Sequence, residues 1–362
     1  MSHEPRESRA AVIVTSLVFV TLVSALWLTG WRELAAALQG SGKPAEQRLQ
    51  AAMPFRAEAR RLWNGVRWQV TGSTPPTVVK GRDGWWFYAS EQAGDGHSLD
   101  ELEGRVEPDA AEADWAGAIR ARVATAQARG ARYLVVVPPD KHTICADHLP
   151  ESLHVSPAPT RLDRLGAALG ADSPLLDLRG AVSAGYPQSD SHWLDAGAYE
   201  GYLAIHRRLG LHGEPVPRSA FIAKPYDWPG DLWALRQAGE RTEWVEMWQA
   251  VAPLPAHWLG GEAVARPGLF HLPAAQAAWR VTAGGWREAI TTLDDPSLPM
   301  AVIFHDSFMP ALLPYLAQHF RRARFVWCHY LQPVVDEENP DLVIHENVAR
   351  NVQWLGKVSD VY

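Results

Sequence analysis

The sequence predicts an α/β fold, a three-layer sandwich around a mostly parallel sheet. Short, continuous apolar runs alternate with helical stretches along the chain, which is the pattern of strands that are buried on both faces and joined by helices. Glycine and proline separate many of these segments, as expected at the ends of helices and strands. The 362 residues, of which 47% are hydrophobic, suffice for one large domain or two smaller ones.

The first half of the chain supplies the hairpin and the first strands. An Arg-Asp-Gly turn between apolar arms predicts a β-hairpin over residues 78–90. Residues 111–130 read as a helix that ends at Gly130, since glycine tolerates the left-handed conformation found after a helix. Further segments follow in order: a strand at 131–139, a helix at 160–170, a strand at 174–179 and a helix at 194–210, which Asp195 could cap.

The second half repeats this alternation after an irregular stretch. Residues 211–298 contain seven tryptophans, with proline and glycine but no sustained periodicity, and we interpret them as an insertion that covers or lines a site. The predicted segments after it are a strand at 298–304, a helix at 309–323, strands at 324–327 and 341–346, and a closing helix at 347–355.

The N-terminal region is predicted to lie outside the α/β fold. Residues 10–31 carry no charge and are long enough to cross a bilayer as one helix. We therefore expect a cytoplasmic tip and signal anchor over residues 1–31, a stem over 32–75 and the α/β domain over 76–362 in the periplasm. A cleaved signal peptide, with its best site at 35–37, is the alternative.

Charge and cysteine content narrow the partners. The net charge of −7 and the absence of a basic run argue against nucleic acid. Cys145 and Cys328 are the two cysteines, and both a disulfide and two buried thiols remain open. The 17 tryptophans suit sugar rings as well as a protein core. His142, His148 and His154 do not have the spacing of a metal site, and we predict neither a metal nor a cofactor.

A serine at a strand-to-helix junction is the main catalytic candidate. In the segment AVIFHDSFMPALL, the strand ends at Phe304, Asp306 and Ser307 occupy a turn, and a helix begins near Pro310. Ser307 is thus expected at the carboxyl end of a parallel strand and near a helix N-terminus, which favours a developing oxyanion. Serine is also common as a helix cap, so this junction alone leaves both interpretations open.

The segment SDSHW, residues 189–193, supplies the other two members of a possible triad. Asp190 and His192 lie two positions apart, so an extended backbone projects both side chains to the same side. The carboxylate could orient the imidazole, which could then take the proton of Ser307. A hydrogen-bonded polar turn is the alternative for this segment alone.

Four further residues are predicted as substrate-binding candidates. Lys141 follows a strand end and could contact an anionic sugar, or it could be a solvated lysine. Trp193 could form a wall of the pocket or pack in the core. His305 and Asp306 directly precede the serine and could face the substrate.

Several stretches together resemble the AlgJ/AlgX-type alginate O-acetyltransferase group of the SGNH (GDSL-like) hydrolase superfamily. The similar segments are MPFRAEARRLWN, GRDGWWFY, VVPPDKHTICADHLP, SDSHWLDAGAYEGYLAIHRRL, Gly-Asp-Leu at 230–232, LPMAVIFHDSF and NPDLVIHENVARNV. They cover most of residues 50–355, in the order of the group. The chain departs from the group's pattern at His305, where glycine is usual, at Cys145, where tyrosine is usual, and at Ala349, where an acidic residue is usual.

The resemblance implies an SGNH-like fold with Ser307 as nucleophile, His192 as base and Asp190 as its orienting acid. It also implies transfer of acetyl groups to a polysaccharide, with a multi-spanning membrane acyltransferase as the partner that delivers acetyl across the bilayer. An acetyl esterase with the same triad and a non-catalytic glycan-binding or scaffold subunit are the alternatives. The sequence does not distinguish transfer from hydrolysis, because both pass through one acyl-enzyme.

Overall fold

The computed structural model describes Thr21 and residues 78–89, 98–106, 108, 112–236, 242–259, 279–282 and 285–356. No helix within these residues is long and apolar enough to cross a membrane. The predicted anchor at 10–31 lies outside them apart from Thr21, and the predicted stem at 32–75 lies wholly outside them. Both therefore remain predictions.

Strands and helices alternate through most of the described chain. The strands are β1 (Val78–Lys80), β2 (Trp86–Tyr88), β3 (Arg132–Val137), β4 (Leu175–Asp177), β5 (Phe221–Trp228), β6 (Glu243–Ala250), β7 (His257–Trp258), β8 (Arg280–Val281), β9 (Arg287–Thr292), β10 (Met300–Phe304), β11 (Arg322–Trp327) and β12 (Leu342–Glu346). The α-helices are α1 (Ser98–Leu102), α2 (Glu112–Ala128), α3 (Lys141–Ile144), α4 (Arg161–Leu169), α5 (Asp195–Leu209), α6 (Asp231–Arg236), α7 (Met309–Leu316) and α8 (Gln332–Glu338).

A central sheet carries the fold. Within the described residues it has eight strands, in the order β4-β3-β12-β10-β11-β9-β7, with β8 paired to β9. The strands from β4 to β11 run parallel to one another, whereas β9 is antiparallel to β11, and β7 and β8 are antiparallel to β9. This confirms the α/β class and the mostly parallel sheet.

Helices cover both faces of the sheet and bury two apolar cores. Because side chains alternate along a strand, Val136 and Ile303 point towards α5 and α7, and Val135 and Val302 point towards α2 and α4. The central strands are apolar on both faces for this reason. The result is the three-layer arrangement that the sequence predicts.

The predicted insertion divides between two sheets. β5 and β6 form a separate antiparallel pair, whereas β7, β8 and β9 extend the central sheet. β1 and β2 form the hairpin predicted at 78–90, with Asp83 and Gly84 at positive φ in its turn. Gly130 has φ of 75° just after α2, as predicted.

Three local predictions are wrong. Asp195 does not cap α5, because it is the first helical residue and its Oδ2 instead accepts a hydrogen bond from the Trp248 backbone N–H at 2.6 Å. The helix predicted at 309–323 ends as an α-helix at Leu316, since a short 3₁₀ turn follows and β11 begins at Arg322. The closing segment is a 3₁₀ helix, Ala349–Gly356, and α8 was not anticipated. Cys145 and Cys328 are free thiols.

Candidate active site

Ser307 lies where the central strand β10 meets helix α7. β10 is flanked by the parallel strands β11 and β12, so its carboxyl end is at the middle of the sheet edge where ligands bind in open α/β folds. Two residues separate Phe304 from Ser307, and α7 begins at Met309 with Pro310 in its first turn. Ser307 is half-buried, and its neighbours on both sides are buried.

The acid–histidine segment reaches Ser307 from the loop between β4 and α5. Asp190 Oδ1 accepts hydrogen bonds from the His192 backbone N–H at 2.9 Å and from the ring Nδ1 at 2.8 Å. On the other side of the ring, His192 Nε2 lies 2.7 Å from Ser307 Oγ. With the Nδ1 proton held by Asp190, Nε2 is the nitrogen that is free to accept the proton of the serine hydroxyl.

Asp190 is buried, and polar contacts satisfy both of its oxygens. Its Oδ2 accepts hydrogen bonds from Trp228 Nε1 at 2.9 Å and from the Asp231 backbone N–H at 3.1 Å. Burial alone raises the pKa of a carboxyl group, but the hydrogen bond and charge of His192 outweigh it and lower the pKa of Asp190. Asp190 is therefore an anion at neutral pH.

A second carboxylate, Asp231, lies beside the pair. Its Oδ2 is 3.4 Å from His192 Nδ1, and its two oxygens accept the backbone N–H and the hydroxyl of Ser191 at 2.7 and 2.5 Å. Burial, together with the charge of Asp190, raises the pKa of Asp231 to about 6. Burial also opposes protonation of His192, but Asp190 outweighs it and raises the pKa of the imidazole above 6.5.

These three side chains are also the group in the described residues that could hold a metal ion. Ligand atoms of Asp190, His192 and Asp231 lie within 4.8 Å of one another. Their hydrogen bonds already form a connected acid–base arrangement that ends on Ser307. We therefore assign them to proton transfer and place no metal here.

The acid–histidine segment is fixed by contacts from outside it. The Lys141 ammonium donates to the backbone carbonyl oxygens of Gln188 at 2.9 Å and Asp190 at 3.0 Å. Glu243 accepts the backbone N–H groups of Gln188 at 3.1 Å and Ser189 at 2.7 Å, and also the Ser189 hydroxyl. Glu243 lies opposite Trp228 in the antiparallel β5–β6 pair, so one end of this pair holds the residues up to Asp190.

The turn that carries Ser307 is held by a pair of buried carboxyl groups. Asp306 accepts the backbone N–H groups of Phe308 at 2.9 Å and Val348 at 2.8 Å, and donates its own N–H to Glu346 at 3.2 Å. Glu346 is fully buried. Burial, followed by the charge of Asp306, raises the pKa of Glu346 well above its ordinary value, which favours the neutral form of this acid.

A pocket of about 620 Å³ opens over Ser307 and His192. Its wall includes the aromatic residues Tyr88, Trp228, Trp327 and Trp354. Arg350 also lines it, and the Arg350 guanidinium is paired with Asp140 at 2.6 Å and lies over the Tyr88 and Phe308 rings. The pocket is large enough for a sugar unit next to the serine.

Three of the predicted substrate-binding residues do not reach this pocket. Trp193 is fully buried in the core, where its indole N–H donates to the Phe308 carbonyl at 3.0 Å. His305 is also fully buried, because its ring packs beside Trp279 and Trp327. Lys141 is 3% exposed, and its ammonium is used on backbone carbonyls, so neither a sugar contact nor a solvated position fits it. Asp306 does line the pocket.

The sequence alone did not point to Asp231, Glu243 and Arg350, nor to Asn351, which also lines the pocket. A sequence signal existed for Asp231, which lies in the Gly-Asp-Leu segment, and for Arg350 and Asn351, which lie in the closing segment after β12. Both segments match the pattern of the group, but the pattern alone assigns no role to these residues. Glu243 follows a stretch with no regular periodicity, and its partners are backbone groups that no sequence pattern reveals.

The comparisons with known proteins agree with this architecture. Residues 78–255 match the family model of the SGNH hydrolase-like domain of the acetyltransferase AlgX. Among solved structures, PatB1 of Bacillus cereus superimposes with a TM-score of 0.52 at 16% identity, covering 77% of this chain and 99% of that one. A DHHW family protein from Eubacterium siraeum gives 0.54 at 15% identity, covering 79% and 100%.

The O-acetyltransferase domain of Pseudomonas putida AlgJ is also similar, with a TM-score of 0.44 at 16% identity, covering 77% of this chain and 93% of that one. No curated protein matches the sequence. The fold and the serine-histidine-aspartate arrangement together define an SGNH hydrolase-like domain. Residues 78–255 thus match the SGNH hydrolase-like domain of the acetyltransferase AlgX, which confirms the predicted resemblance to the AlgJ/AlgX-type group.

Proposed function

We propose that this protein is an extracytoplasmic O-acetyltransferase that acetylates a cell-surface or secreted polysaccharide through an acetyl-serine intermediate. The observation that carries the proposal is the continuous chain of hydrogen bonds from Asp190 through His192 to Ser307 at the floor of an open pocket. The family match supports acetyl transfer as the reaction class.

In the first half-reaction, Ser307 takes the acetyl group. His192 Nε2 removes the hydroxyl proton while Ser307 Oγ bonds to the acetyl carbonyl carbon, and the carbonyl oxygen becomes an oxyanion. The Ser307 backbone N–H is the donor that we assign to this oxyanion. The bond to the donor's leaving oxygen then breaks, and the proton passes from His192 to that oxygen. Asp190 stabilises the imidazolium in between.

In the second half-reaction, a sugar hydroxyl takes the acetyl group from Ser307. His192 now removes the proton of that hydroxyl, whose oxygen attacks the acetyl-serine carbonyl. Collapse of the tetrahedral intermediate releases the sugar ester, and the proton returns to Ser307 Oγ. Water in place of the sugar gives acetate, so exclusion of water by a bound glycan separates a transferase from an esterase.

The setting of the enzyme belongs to the same proposal. The apolar segment at 10–31 supports a single-pass anchor in the inner membrane, with the catalytic domain in the periplasm. Acetyl-CoA is not supplied outside the cytoplasm. Because the acetyl group must then cross the membrane, we propose that a multi-spanning membrane acyltransferase delivers it.

The proposal is tested on the full chain in detergent with a chromogenic acetyl ester and a panel of oligosaccharides. Acetate and acetylated sugar are quantified separately by mass spectrometry. We expect acetyl on sugar with the wild type and a loss of at least about 10³-fold in Ser307→Ala and His192→Ala. Ser297→Ala, at an exposed serine, serves as the matched control and retains activity.

The other outcomes separate the alternatives. Release of acetate alone, lost in the same two variants, contradicts transfer and identifies an esterase. Equal turnover by the wild type and both variants contradicts catalysis by Ser307 and leaves a glycan-binding or scaffold role.

A further inference from the structure

Two polar side chains of the pocket wall have no part in the proton transfer described above. Arg350 and Asn351 follow β12, and both line the pocket over Ser307 and His192. Arg350 is 8% exposed and Asn351 is 9% exposed, so both are largely shielded from bulk water. Because buried polar groups normally have hydrogen-bond partners, the contacts of these two side chains indicate what the pocket binds.

The side-chain amide of Asn351 is available to a ligand. Its Oδ1 is buried and accepts no hydrogen bond from the residues that the structure describes. An amide offers N–H donors at one end and an accepting oxygen at the other. A hydroxyl group both donates and accepts, so it can pair with this amide whichever way the amide is turned.

The Arg350 guanidinium keeps donors in reserve. A guanidinium carries several N–H groups in a fixed fork, and the one that bonds a described residue is on Nη1, which donates to Asp140 at 2.6 Å. The rings of Tyr88 and Phe308 lie 5.1 and 5.3 Å from its central carbon and hold it in place. Since Asp140 already balances the charge, the other N–H groups can donate to a neutral hydroxyl oxygen.

The segment that carries both side chains is fixed relative to the nucleophile. The Val348 backbone N–H donates to Asp306 Oδ2 at 2.8 Å, and Asp306 directly precedes Ser307. The Ala349 N–H donates to the Pro138 carbonyl at 2.9 Å, just after β3. A sugar held by this wall is therefore presented to the acetyl-serine in a fixed orientation, which transfer to one hydroxyl requires.

We propose that Arg350 and Asn351 form an acceptor subsite, which binds the hydroxyl groups of the sugar other than the one that is acetylated. The proposal rests on the proposed function, because it names the residues that hold its acceptor. An acetyl group occupies little of the pocket of about 620 Å³, so space remains for a sugar ring. The two side chains thus act in the second half-reaction, where they place a sugar hydroxyl instead of water against the acetyl-serine.

The test separates the two half-reactions. The full chain in detergent is mixed with a chromogenic acetyl ester, and chromophore release in the first turnover reports acetylation of Ser307. Mass spectrometry then measures how the acetyl group divides between water, cyclohexanol, a mannuronate tetramer and an N-acetylglucosamine tetramer. Cyclohexanol is a ring with a single hydroxyl group, so it lacks the groups that the acceptor subsite would bind.

Asn351→Leu keeps the approximate volume and removes the amide. We expect transfer to the better tetramer to fall about tenfold, whereas chromophore release, acetate formation and transfer to cyclohexanol change less than about twofold. Arg350→Lys retains a cation for Asp140 but loses the fork, so it should show the same pattern. Gln249→Leu, which removes an amide on β6 outside the pocket wall, is the control and should change none of these rates.

Two results would overturn the acceptor subsite. A fall in chromophore release that matches the fall in transfer would mean that these residues act on acetylation of the serine, and unchanged transfer in either variant would remove that residue from the subsite. If the wild type yields acetate alone, the proposed function fails, and calorimetric titration of Ser307→Ala with both tetramers decides the subsite. Weaker binding on addition of Asn351→Leu supports it, whereas equal binding, or no binding of either tetramer, overturns it.

Discussion

At the scale of single residues, Lys141 contributes to the site without contacting the reacting atoms. Its ammonium lies 5.0 Å from the centre of the Trp85 ring and bonds two carbonyls of the acid–histidine segment. Burial lowers the pKa of Lys141 to about 8, so it is still mostly protonated at neutral pH. Its role is therefore to hold the position of Asp190.

Replacing Lys141 by methionine keeps the buried stem and removes the charge. We expect kcat for an acetyl ester to fall about 10- to 100-fold with KM nearly unchanged, because Asp190 loses its fixed position. Two buried carbonyls lose a donor, so the free energy of unfolding should drop by roughly 1–3 kcal/mol. Steady-state kinetics and denaturant unfolding measure both effects, with the exposed Lys224→Met as control. Unfolding at lower denaturant with kcat intact would show that Lys141 is structural only.

Protonation of His192 is expected to set the acidic limb of the pH–rate profile. The imidazole must be neutral to accept a proton, and its pKa is raised above 6.5 by Asp190. The kcat/KM value should therefore fall as the pH drops, with a midpoint above 6.5. In Asp190→Asn the midpoint should move to lower pH and the maximum should fall by about 10²- to 10⁴-fold. A midpoint that does not move in this variant contradicts the assignment of Asp190 as the partner of the base.

At the scale of elements, the loop between β5 and α6 fixes Asp190, the acid of the proposed triad. Trp228 ends β5 and Asp231 begins α6, and both donate to Asp190 Oδ2. Gly230 between them has φ of 62°, and a Cβ there would collide with the backbone and side chain of Ser189. The sharp turn and the close approach together require glycine.

Gly230→Ala should consequently damage the site as well as the fold. We expect kcat/KM for an acetyl ester to fall at least about 10²-fold, because Ser189 is displaced next to Asp190. Gly213→Ala is the matched control: this glycine has φ of 78°, but nothing lies within 4 Å of its added Cβ. The Gly213→Ala variant therefore has only the strain of alanine at positive φ, of order 1–2 kcal/mol, and should retain nearly full activity. Equal loss of activity in the two variants would mean that the collision with Ser189 is unimportant.

At the scale of the whole molecule, the apolar runs of the sequence predict the layers of the fold but not the contacts between its loops. The apolar runs of β3, β10 and β12 predict buried parallel strands, and the turn before α7 predicts where Ser307 lies, because these signals are local. Trp193, His305 and Lys141 were expected near the substrate because they adjoin active segments in sequence. Their burial depends on packing by distant elements, such as Phe308 against Trp193, which one sequence does not disclose.

The buried acid Glu346 predicts how global stability changes with pH. Its pKa is raised from 4.5 in the native state, so the folded protein holds a proton that the unfolded chain releases. The stability that this group contributes is present below pH 4.5 and is lost as the pH rises towards the raised value. The glutamine of Glu346→Gln cannot titrate. As the pH rises, the free energy of unfolding of this variant should therefore increase relative to that of the wild type, by up to about 1.4 kcal/mol per pH unit.

Denaturant unfolding of both proteins from pH 4.5 to about 7 measures this difference. Glu246→Gln, at an exposed position on β6, serves as the control. A constant difference between Glu346→Gln and the wild type over this range would contradict a raised pKa of Glu346 in the native state.

The central claim is that Ser307 carries the acetyl group between donor and acceptor. The most direct measurement is mass spectrometry of the full chain, quenched with acid shortly after mixing with a chromogenic acetyl ester and then digested. We predict one acetyl group on the peptide that contains Ser307, lost when a sugar acceptor is added before the quench, and absent in Ser307→Ala and His192→Ala. An unmodified Ser307 in a wild type that turns over the ester, or equal acetylation in His192→Ala, would contradict the account.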